Sequence, residues 1–468
     1  MEQHYDIIVV GAGPGGYVAA IKAAKLGKSV AVVEEGKAGG TCLNRGCIPA
    51  KAMIHAAETF QEVLHGDRFG IEAREVSFDY EKILAYKEET TEALVQGVEQ
   101  LLKGNGVERI SGKGTLLPGR QVRVTTEEKE EILCADQVIL ATGSKPLLLP
   151  IPGMDLPGVL TSDGLFQLRE RPESLVIIGG GVISVEFATA FADLGSRVTI
   201  LEAMPRLVPN LDKEIAQNLK MILKKRGIEI HTSAAVQKVE RTQEGLACWF
   251  VEKEKEQSVT AQYVLCAVGR IPNTDGLFAE GALPEMERGR VQVDEHFQTS
   301  IEGVYAIGDL IFGMQLAHTA SAQGTVVAEE LAGEAPSVDL NVVPSCVYTS
   351  PEIASVGLTE DEAKERQIPV RTGKFIMSAN GKSLITKEER GFVKIVAEED
   401  TGVILGAQMM CARATDMIGE FVTAVANGLT ASQMSRGMRA HPTYDEGIGE
   451  ALEELEGGAI HVVPRKKR

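Results

Sequence analysis

The sequence predicts an α/β protein with two related parallel-sheet domains and a smaller α+β domain at its carboxyl end. Three observations indicate this fold class. A glycine-rich loop follows an apolar strand-like run twice, and in both copies an acidic residue ends the next strand 23 residues after the first glycine. From about Asn341 hairpin-like strands replace this pattern. A chain of 468 residues is also longer than one hydrophobic core usually supports.

The first copy begins with an apolar run at residues 6–10, which suits a buried parallel strand. The loop Gly-Ala-Gly-Pro-Gly-Gly follows at residues 11–16, then an alanine-rich helix, and then a strand at 29–33 that ends at Glu34. Such a loop lets the backbone approach a pyrophosphate, and a carboxylate at this place accepts hydrogen bonds from a ribose. The segment therefore predicts a dinucleotide site. The alternative is that the glycines serve only to form tight turns.

The second copy repeats the pattern, with a strand at 175–178, a loop at 179–184, and a strand at 197–201 that ends at Glu202. Ser184 stands at the third glycine position, and glycines that serve only turns are again the alternative. Residues 136–143 resemble residues 262–269, each at a similar distance from its own loop, so two related dinucleotide domains are expected. Glu202 would repel the 2'-phosphate of NADP and favours NAD, although Arg206 offers a phosphate contact.

The seven cysteines divide into a spaced pair, Cys42 and Cys47, and five isolated residues that we interpret as reduced core residues. The isolated five are Cys134, Cys248, Cys266, Cys346 and Cys411. Five positions apart on a regular helix, the paired Cα atoms would be about 8 to 9 Å apart, beyond the ~7 Å limit for a disulfide. Pairing would therefore require a distorted helix. The alternatives are two reduced packing cysteines or half of a metal site, but nothing completes a zinc ligand set, so no metal is predicted.

Charge and hydropathy exclude several kinds of partner. A net charge of -18 disfavours nucleic acid and anionic membranes. No apolar stretch reaches the ~18 residues that span a bilayer, and no leader-like segment precedes the first strand, so a cytoplasmic location is expected. The basic end at residues 464–468 is interpreted as an exposed solubilising tail, with a small electrostatic contact as the alternative.

The segment 39–51, Gly-Gly-Thr-Cys-Leu-Asn-Arg-Gly-Cys-Ile-Pro-Ala-Lys, resembles the redox-active disulfide motif of the class I pyridine nucleotide:disulfide oxidoreductases. Within this family, Leu-Asn-x-Gly-Cys-Ile-Pro is most similar to the members that act on dihydrolipoamide. The resemblance extends from Gly11 to His461. It implies an enzyme that oxidises dihydrolipoamide to lipoamide and reduces NAD, through a Cys42–Cys47 disulfide and FAD. Its implied partners are dihydrolipoamide or a lipoyl-bearing protein, and a second copy of the chain that completes each active site.

The resemblance also implies a division of the chain and a set of site residues. Residues 1–148 would begin the FAD domain, 149–271 form the NAD domain, 272–340 complete the FAD site, and 341–468 form the dimerisation domain. The implied FAD contacts are Gly11, Gly13, Gly16, Glu34, Thr41, Lys51, Gly114, Thr142, Gly143, Asp309 and Ala317. The implied NAD contacts are Gly179, Gly181, Glu186, Glu202, Val236 and Gly269. The implied catalytic residues are Cys42, Cys47, Lys51, Glu186, His441 and Glu446, with His441 acting as the base on the disulfide of the other subunit.

Two residues depart from the family pattern. Ala50 replaces the usual serine before Lys51, and Asp445 stands where a small residue is common. Asp445 could compete with Glu446 for the imidazole of His441 or add negative charge near the thiolates. Two other functions are retained as alternatives: a related reductase for a low-molecular-weight disulfide, and a redox-inactive flavoprotein subunit.

Overall fold

The computed structural model describes residues 3–463 and divides the chain into two compact units. Unit 1 comprises Met1–Pro150, Pro157–Arg171 and Leu265–Leu340, and unit 2 comprises Ile151–Leu156, Pro172–Val264 and Asn341–Arg468. The basic end at residues 464–468, predicted as an exposed tail, lies outside the described residues. Within residues 3–463, no helix is both long and apolar enough to cross a bilayer.

The main sheet of unit 1 has a parallel centre of apolar strands. Its order is Glu108–Ser111, Val30–Glu34, Gln3–Val10, Glu130–Leu140, Gln121–Thr125 and Lys113–Leu117, with Val304–Ala306 also paired to Glu130–Leu140. In the parallel pairings, Ile8 lies opposite Ala31 on one side and Val138 on the other. Neighbouring side chains that point to opposite faces are both buried, as parallel sheets covered on two sides require. The strands predicted at 6–10 and 29–33 are confirmed.

Two helices of unit 1, Pro14–Lys25 and Ala317–Leu331, pack closely although they are far apart in the sequence. A Cβ atom added to Gly324 would lie 2.4 Å from the carbonyl oxygen of Gly15, so only glycine fits at this crossing. The hydroxyl of Ser321 also reaches the carbonyl of Pro14, 307 positions earlier, at 3.3 Å. The remaining helices are Gly40–Arg45, Cys47–Leu64, Tyr80–Gly104 and Ser162–Leu165, with 3-10 turns at Gly66–Phe69 and Gly308–Leu310. Short strands are Ser144–Pro146, Val159–Leu160, Arg270–Pro272, Met286–Glu287 and Arg290–Val291.

The first part of unit 2 repeats the strand, loop and helix arrangement. Parallel strands lie in the order Glu229–Thr232, Arg197–Glu202 and Ser174–Ile178, followed by Tyr263–Cys266. The helices are Val182–Asp193 and Lys213–Lys225, and an antiparallel sheet contains Ala234–Thr242, Gly245–Glu252 and Lys255–Ala261. The side chain of Asp212 caps the second helix by accepting hydrogen bonds from the amides of Glu214 and Ile215. The strands predicted at 175–178 and 197–201 are confirmed.

The last part of unit 2 is an antiparallel sheet with helices, which confirms the α+β structure predicted for the carboxyl end. The strand order is Ser345–Val347, Glu352–Gly357, Ile404–Cys411, Phe392–Glu398 and Val370–Ile376. The helices are Glu360–Glu365, Gly381–Thr386, Ala414–Ala426, Ala431–Met434 and Glu446–Leu455, with a 3-10 turn at Met377–Ala379. Phe421 and Leu452 belong to the buried apolar cluster of this part. The four-segment division of the chain inferred from the sequence stays a prediction.

Candidate active site

The glycine loop of unit 1 brings its predicted residues close together. The amide of Gly11 donates to the carbonyl of Val33 at 2.8 Å, which ties the loop to the second strand. Gly11 has a φ of +102°, and an added Cβ would lie 2.5 Å from the carbonyl oxygen of Ala141, so only glycine fits. Glu34 accepts from the amides of Ala12 and Gly36, both at 2.8 Å. The carboxylate thus lies directly at the loop, next to the start of the helix that Gly13 caps.

The two spaced cysteines lie on separate helices. The helix Gly40–Arg45 ends before Gly46, whose φ and ψ of −146° and −111° are not helical, and the next helix begins at Cys47. The amide nitrogen of the Asn44 side chain donates to the carbonyls of Ala38 and Gly40 at 3.0 and 2.9 Å and holds the first of these helices. The break at Gly46 is the distortion that pairing of Cys42 with Cys47 requires.

The environment of Cys42 is shaped by its partner and by burial. A hydrogen bond with Cys47 is the largest cause of a raised pKa of the Cys42 thiol, and burial adds to it, whereas the positive charge of Lys51 acts in the opposite direction. Cys42 is partly buried against the core of unit 1, and Cys47 is exposed. The Cys42 thiol therefore favours its protonated form, and Cys47 is the more accessible sulfur.

The five isolated cysteines are not all core residues. Cys248, Cys266 and Cys411 are buried, as predicted, and burial is the first cause of the raised pKa of each thiol. Cys134 and Cys346 are only partly buried, and the side-chain amide of Gln121 lies 3.5 Å from the sulfur of Cys134. The prediction of a core position is therefore wrong for these last two, because each lies on a strand at a less covered position.

A polar cluster that the sequence did not predict surrounds Asp309. The hydroxyl of Ser144 donates to the Asp309 carboxylate at 2.5 Å, and Nε of Arg270 donates to that hydroxyl at 2.7 Å. The guanidinium also donates to the Ser144 carbonyl at 2.7 Å and lies 3.5 Å from the hydroxyl of Thr41. Burial lowers the pKa of Arg270, although the charges of Asp163 and Asp309 oppose this effect. Arg270 thus links the residue before Cys42 to Asp309.

Sequence information could have revealed this cluster. Ser144 follows Gly143 and Arg270 follows Gly269, so each comes directly after one of the two matching segments, 136–143 and 262–269. Their strands, Ser144–Pro146 and Arg270–Pro272, pair antiparallel with each other. The similarity of the two segments therefore pointed to both residues, one position further along the chain.

The other predicted FAD contacts lie in the same unit. The hydroxyl of Thr142 donates to the carbonyl of Asn273 at 2.7 Å, and Gly143 has a φ of +69°. A Cβ atom at Gly114 would lie 2.7 Å from Val10, so glycine allows a close approach there. Ala317 is the first residue of the helix Ala317–Leu331. Near that helix start, within the described residues, Nε2 of Gln315 and the hydroxyl of Thr319 are buried without a hydrogen-bond partner.

The glycine loop of unit 2 places Glu202 directly below it. The amide of Gly179 donates to the carbonyl of Leu201 at 2.9 Å, and a Cβ at Gly180 would lie 2.8 Å from a carboxylate oxygen of Glu202. Glu202 accepts a hydrogen bond from the amide of Met204, and Ser184 is fully buried. The guanidinium of Arg206 donates to the carbonyl of Pro209, in the turn that follows.

Three other residues predicted to contact NAD are Glu186, Val236 and Gly269. Glu186 is 4% exposed and accepts from the amide of Tyr348 at 3.0 Å. Lys51 belongs to unit 1 and Glu186 to unit 2, so the implied pairing of these two stays a prediction. Val236 lies on the strand Ala234–Thr242, and Gly269, with a φ of +128°, follows the strand Tyr263–Cys266.

His441 and Glu446 form the expected pair in unit 2. Nδ1 of His441 lies 2.8 Å from Oε1 of Glu446, and Oε2 accepts from the amide of Thr443 at 2.9 Å. The imidazole side chain is 77% exposed. Burial raises the pKa of Glu446, but the hydrogen bonds from Thr443 and His441 outweigh burial and lower it overall, so the carboxylate is ionised at neutral pH. The imidazole of His441 is thus paired with Glu446, not with Asp445.

The family model described as pyridine nucleotide-disulphide oxidoreductase matches residues 5–324, and the model of its dimerisation domain matches residues 343–452. The chain is 42% identical over 460 residues to a dihydrolipoyl dehydrogenase of Bacillus subtilis, and 41% identical over 461 residues to that of Geobacillus stearothermophilus, with 98% of each chain covered in both cases.

Solved structures show the same similarity. LpdA from Mycobacterium tuberculosis superposes with a TM-score of 0.90 at 28% identity, over 97% of this chain and 99% of that one. The HOCl-induced flavoprotein disulfide reductase RclA from Escherichia coli superposes with a TM-score of 0.85 at 28% identity, over 96% and 99% of the two chains. The predicted fold class is confirmed.

Proposed function

The chain belongs to the pyridine nucleotide-disulphide oxidoreductase family, and on that premise we propose that it is a dihydrolipoyl dehydrogenase. It oxidises dihydrolipoamide to lipoamide and reduces NAD, with FAD as its bound cofactor. The observation that carries this proposal is the helix break at Gly46, which lets Cys42 and Cys47 interact beside the positive charge of Lys51. Curated relatives of this name match almost the whole chain, which supports the choice of substrate.

The residues of unit 1 fit a bound FAD. The residues that would hold it are Gly11, Gly13, Gly16, Glu34, Thr41, Lys51, Gly114, Thr142, Gly143, Asp309 and Ala317. Two observations support the fit: the close backbone approach that glycine permits at Gly11, and the buried groups of Gln315 and Thr319, which a polar ligand would satisfy. When bound, FAD supplies two-electron chemistry between the dithiol and NAD.

The residues that would hold NAD are Gly179, Gly181, Glu186, Glu202, Val236 and Gly269. The position of Glu202 beneath Gly180 supports NAD over NADP, because a carboxylate there repels a 2'-phosphate. The guanidinium of Arg206 is bonded to the carbonyl of Pro209, which opposes its use as a phosphate contact.

The reacting sulfurs exchange one disulfide for another. His441 of the partner subunit accepts a proton from one thiol of dihydrolipoamide, and the resulting thiolate attacks Sγ of Cys42. The Cys42–Cys47 bond breaks, and Cys47 leaves as a thiolate. The second substrate thiol then attacks the mixed disulfide, lipoamide is released, and Cys42 keeps the proton from that thiol. Of the two thiol protons of the substrate, one then lies on His441 and the other on Cys42, and the raised pKa of the Cys42 thiol favours its protonated form.

The proposal also covers the oligomeric state, the physiological substrate and the location of the enzyme. The chain carries the family's dimerisation domain, and a homodimer brings His441 of one subunit to the cysteines of the other. The physiological thiol is dihydrolipoamide, free or carried on a lipoyl protein. The isolated buried thiols suit a reducing compartment, and we place the enzyme in the cytoplasm. The net charge of -18 disfavours nucleic acid and anionic membranes as partners.

The test is NADH formation by the purified protein with dihydrolipoamide and NAD. We expect rapid turnover that Cys47→Ser abolishes, because serine cannot form the disulfide. Cys134→Ser is the matched control, since Cys134 lies on a strand away from the redox motif, and its activity should equal that of the unchanged protein. If the protein binds flavin but does not turn over dihydrolipoamide, the proposed substrate is wrong. The protein would then be a reductase of another disulfide, the class to which RclA belongs by name.

A further inference from the structure

The loop that carries His441 is joined by side chains to a distant segment, residues 380–388. The side-chain amide of Asn380, which is 3% exposed, donates to the carbonyl of Thr443 at 3.0 Å. Its oxygen accepts from the amide and the hydroxyl of Ser383 at 2.9 and 3.2 Å, at the start of the helix Gly381–Thr386. Asn380 thus bonds at once to that helix and to the backbone two residues after His441.

The hydroxyl of Tyr444 makes a second connection to the same segment. It lies 2.7 Å from the hydroxyl of Thr386 and donates to the carboxylate of Glu388. Burial first, and then the hydrogen bond to Glu388, raise the pKa of Tyr444 to about 12. The phenol therefore stays protonated near neutral pH and remains a donor to the carboxylate.

These contacts are made by the loop residues that follow His441, and none of them involves its imidazole. The ring of His441 is exposed and meets Glu446, which is the first residue of the helix Glu446–Leu455. Tyr444 lies between the two, and its carbonyl accepts from the amide of Gly447 at 3.0 Å in the first turn of that helix. A shift of Tyr444 would therefore move both members of the His441–Glu446 pair.

We propose that Tyr444, through its bonds to Thr386 and Glu388, is a positioning residue for the base His441 in the oxidation of dihydrolipoamide. The inference rests on the proposed function. A loop that is not fixed has many accessible arrangements, and proton transfer requires one that brings the imidazole within about 3 Å of the substrate thiol. Tyr444 limits these arrangements by holding the loop against the segment 380–388, and Asn380 holds the same loop by its backbone.

The aromatic ring and the hydroxyl of Tyr444 have separable roles. The ring packs against the buried cluster of the C-terminal part of unit 2 and so contributes to the fold. The variant Tyr444→Phe keeps that ring and removes only the hydroxyl. Thr386→Val and Glu388→Ala each remove one partner instead, so the proposal stays testable if Tyr444→Phe is unstable. Tyr5→Phe is the matched control, because the hydroxyl of Tyr5 also donates to a glutamate, Glu108, at 2.7 Å, but in unit 1.

The experiment measures kcat for dihydrolipoamide oxidation beside NADH oxidation by a dye that accepts electrons from the flavin, a reaction that does not need the base. We expect Tyr444→Phe to lower the first rate by about tenfold, and to leave the second rate and the KM for NAD unchanged. Tyr5→Phe should change neither rate. Added to His441→Gln, the substitution Tyr444→Phe should cause no further loss, because it acts through the histidine.

Three results would overturn the inference: an unchanged kcat in Tyr444→Phe, an equal fall of the dye reaction, or a further loss in the His441→Gln background. A purely structural role would produce one of the last two. The failure of the proposed function is distinguishable, since the unchanged protein would then lack activity with dihydrolipoamide. If that protein is active and His441→Gln is not, a normal Tyr444→Phe rate overturns the positioning role alone.

Discussion

The segment with Cys42 and Cys47 and the loop with His441 are held in place by different means. The cysteines lie on two helices that meet at Gly46, and the nearby side chain of Asn44 holds the first helix through backbone carbonyls. The loop of His441 is held by side chains, among them that of Asn380, 63 positions before its partner. The comparison shows that local structure positions the cysteine pair, whereas distant side chains position the loop of the proposed base.

Among changes that leave both cysteines in place, the largest effect should come from replacing the proposed base. His441→Gln removes the proposed base, so dihydrolipoamide turnover should fall by about 10³-fold. NADH oxidation by a flavin-reduced dye should not change, because the proposed base has no part in it. His296→Gln is the matched control, since His296 is also an exposed histidine beside a glutamate, Glu330, at 3.2 Å. A parallel fall of both reactions would contradict a role limited to the thiol exchange.

A smaller effect should follow from changing the backbone at the cysteines. A Cβ atom at Gly46 would lie 2.9 Å from the carbonyl oxygen of Thr41, so Gly46→Ala must displace the two helices relative to each other. Turnover of dihydrolipoamide should fall by about 10²-fold. Gly97→Ala is the control, because Gly97 lies within a helix and an added Cβ meets nothing within 4 Å. Full activity of Gly46→Ala would show that the junction does not require glycine.

The smallest effect is that of Glu446 on the pH dependence of the stability of the protein. Its pKa is lowered from 4.5, so its stabilising contribution is fully present above that value and is lost as the pH falls through the lowered pKa. In thermal unfolding, the stability of the unchanged protein relative to Glu446→Gln should be constant from pH 7 to 5. The difference in stability should become smaller in more acidic solution.

Glu420 gives the opposite sign as a control, because burial raises the pKa of its carboxyl group. The stability of the unchanged protein relative to Glu420→Gln should therefore decrease as the pH rises above the ordinary pKa of 4.5. If both variants show the same trend with pH, the opposite pKa directions at these two residues are wrong.

The sequence predicted those parts of the local structure that depend on spacing. Glu34 and Glu202 were found from their distance to a glycine loop, and the need for a distorted helix followed from the spacing of Cys42 and Cys47. Such features are contained in about 25 residues each, because a strand, a loop and a helix form one local unit. The break itself, at Gly46, required the structure.

The parts that the sequence did not predict depend on contacts between distant segments. Arg270 reaches Ser144 across 126 positions, and the hydroxyl of Tyr444 reaches Thr386 across 58. The similar segments 136–143 and 262–269 mark the positions of Ser144 and Arg270, but only the folded structure shows that such polar side chains contact each other. Asp445 shows the same point, since its proximity to His441 in the sequence suggested a competition for the imidazole, whereas Glu446 is the residue that pairs with it.

The close crossing of the helices Pro14–Lys25 and Ala317–Leu331 has a consequence for biosynthesis. The ribosome releases the first helix long before the second, and the strand Val304–Ala306 that completes the neighbouring sheet also emerges late. Residues 174–261 emerge in the interval with their own sheets and can fold first. The amino-terminal unit therefore closes only after residues 174–261 have emerged, and a truncation before residue 317 leaves that unit without its covering helix.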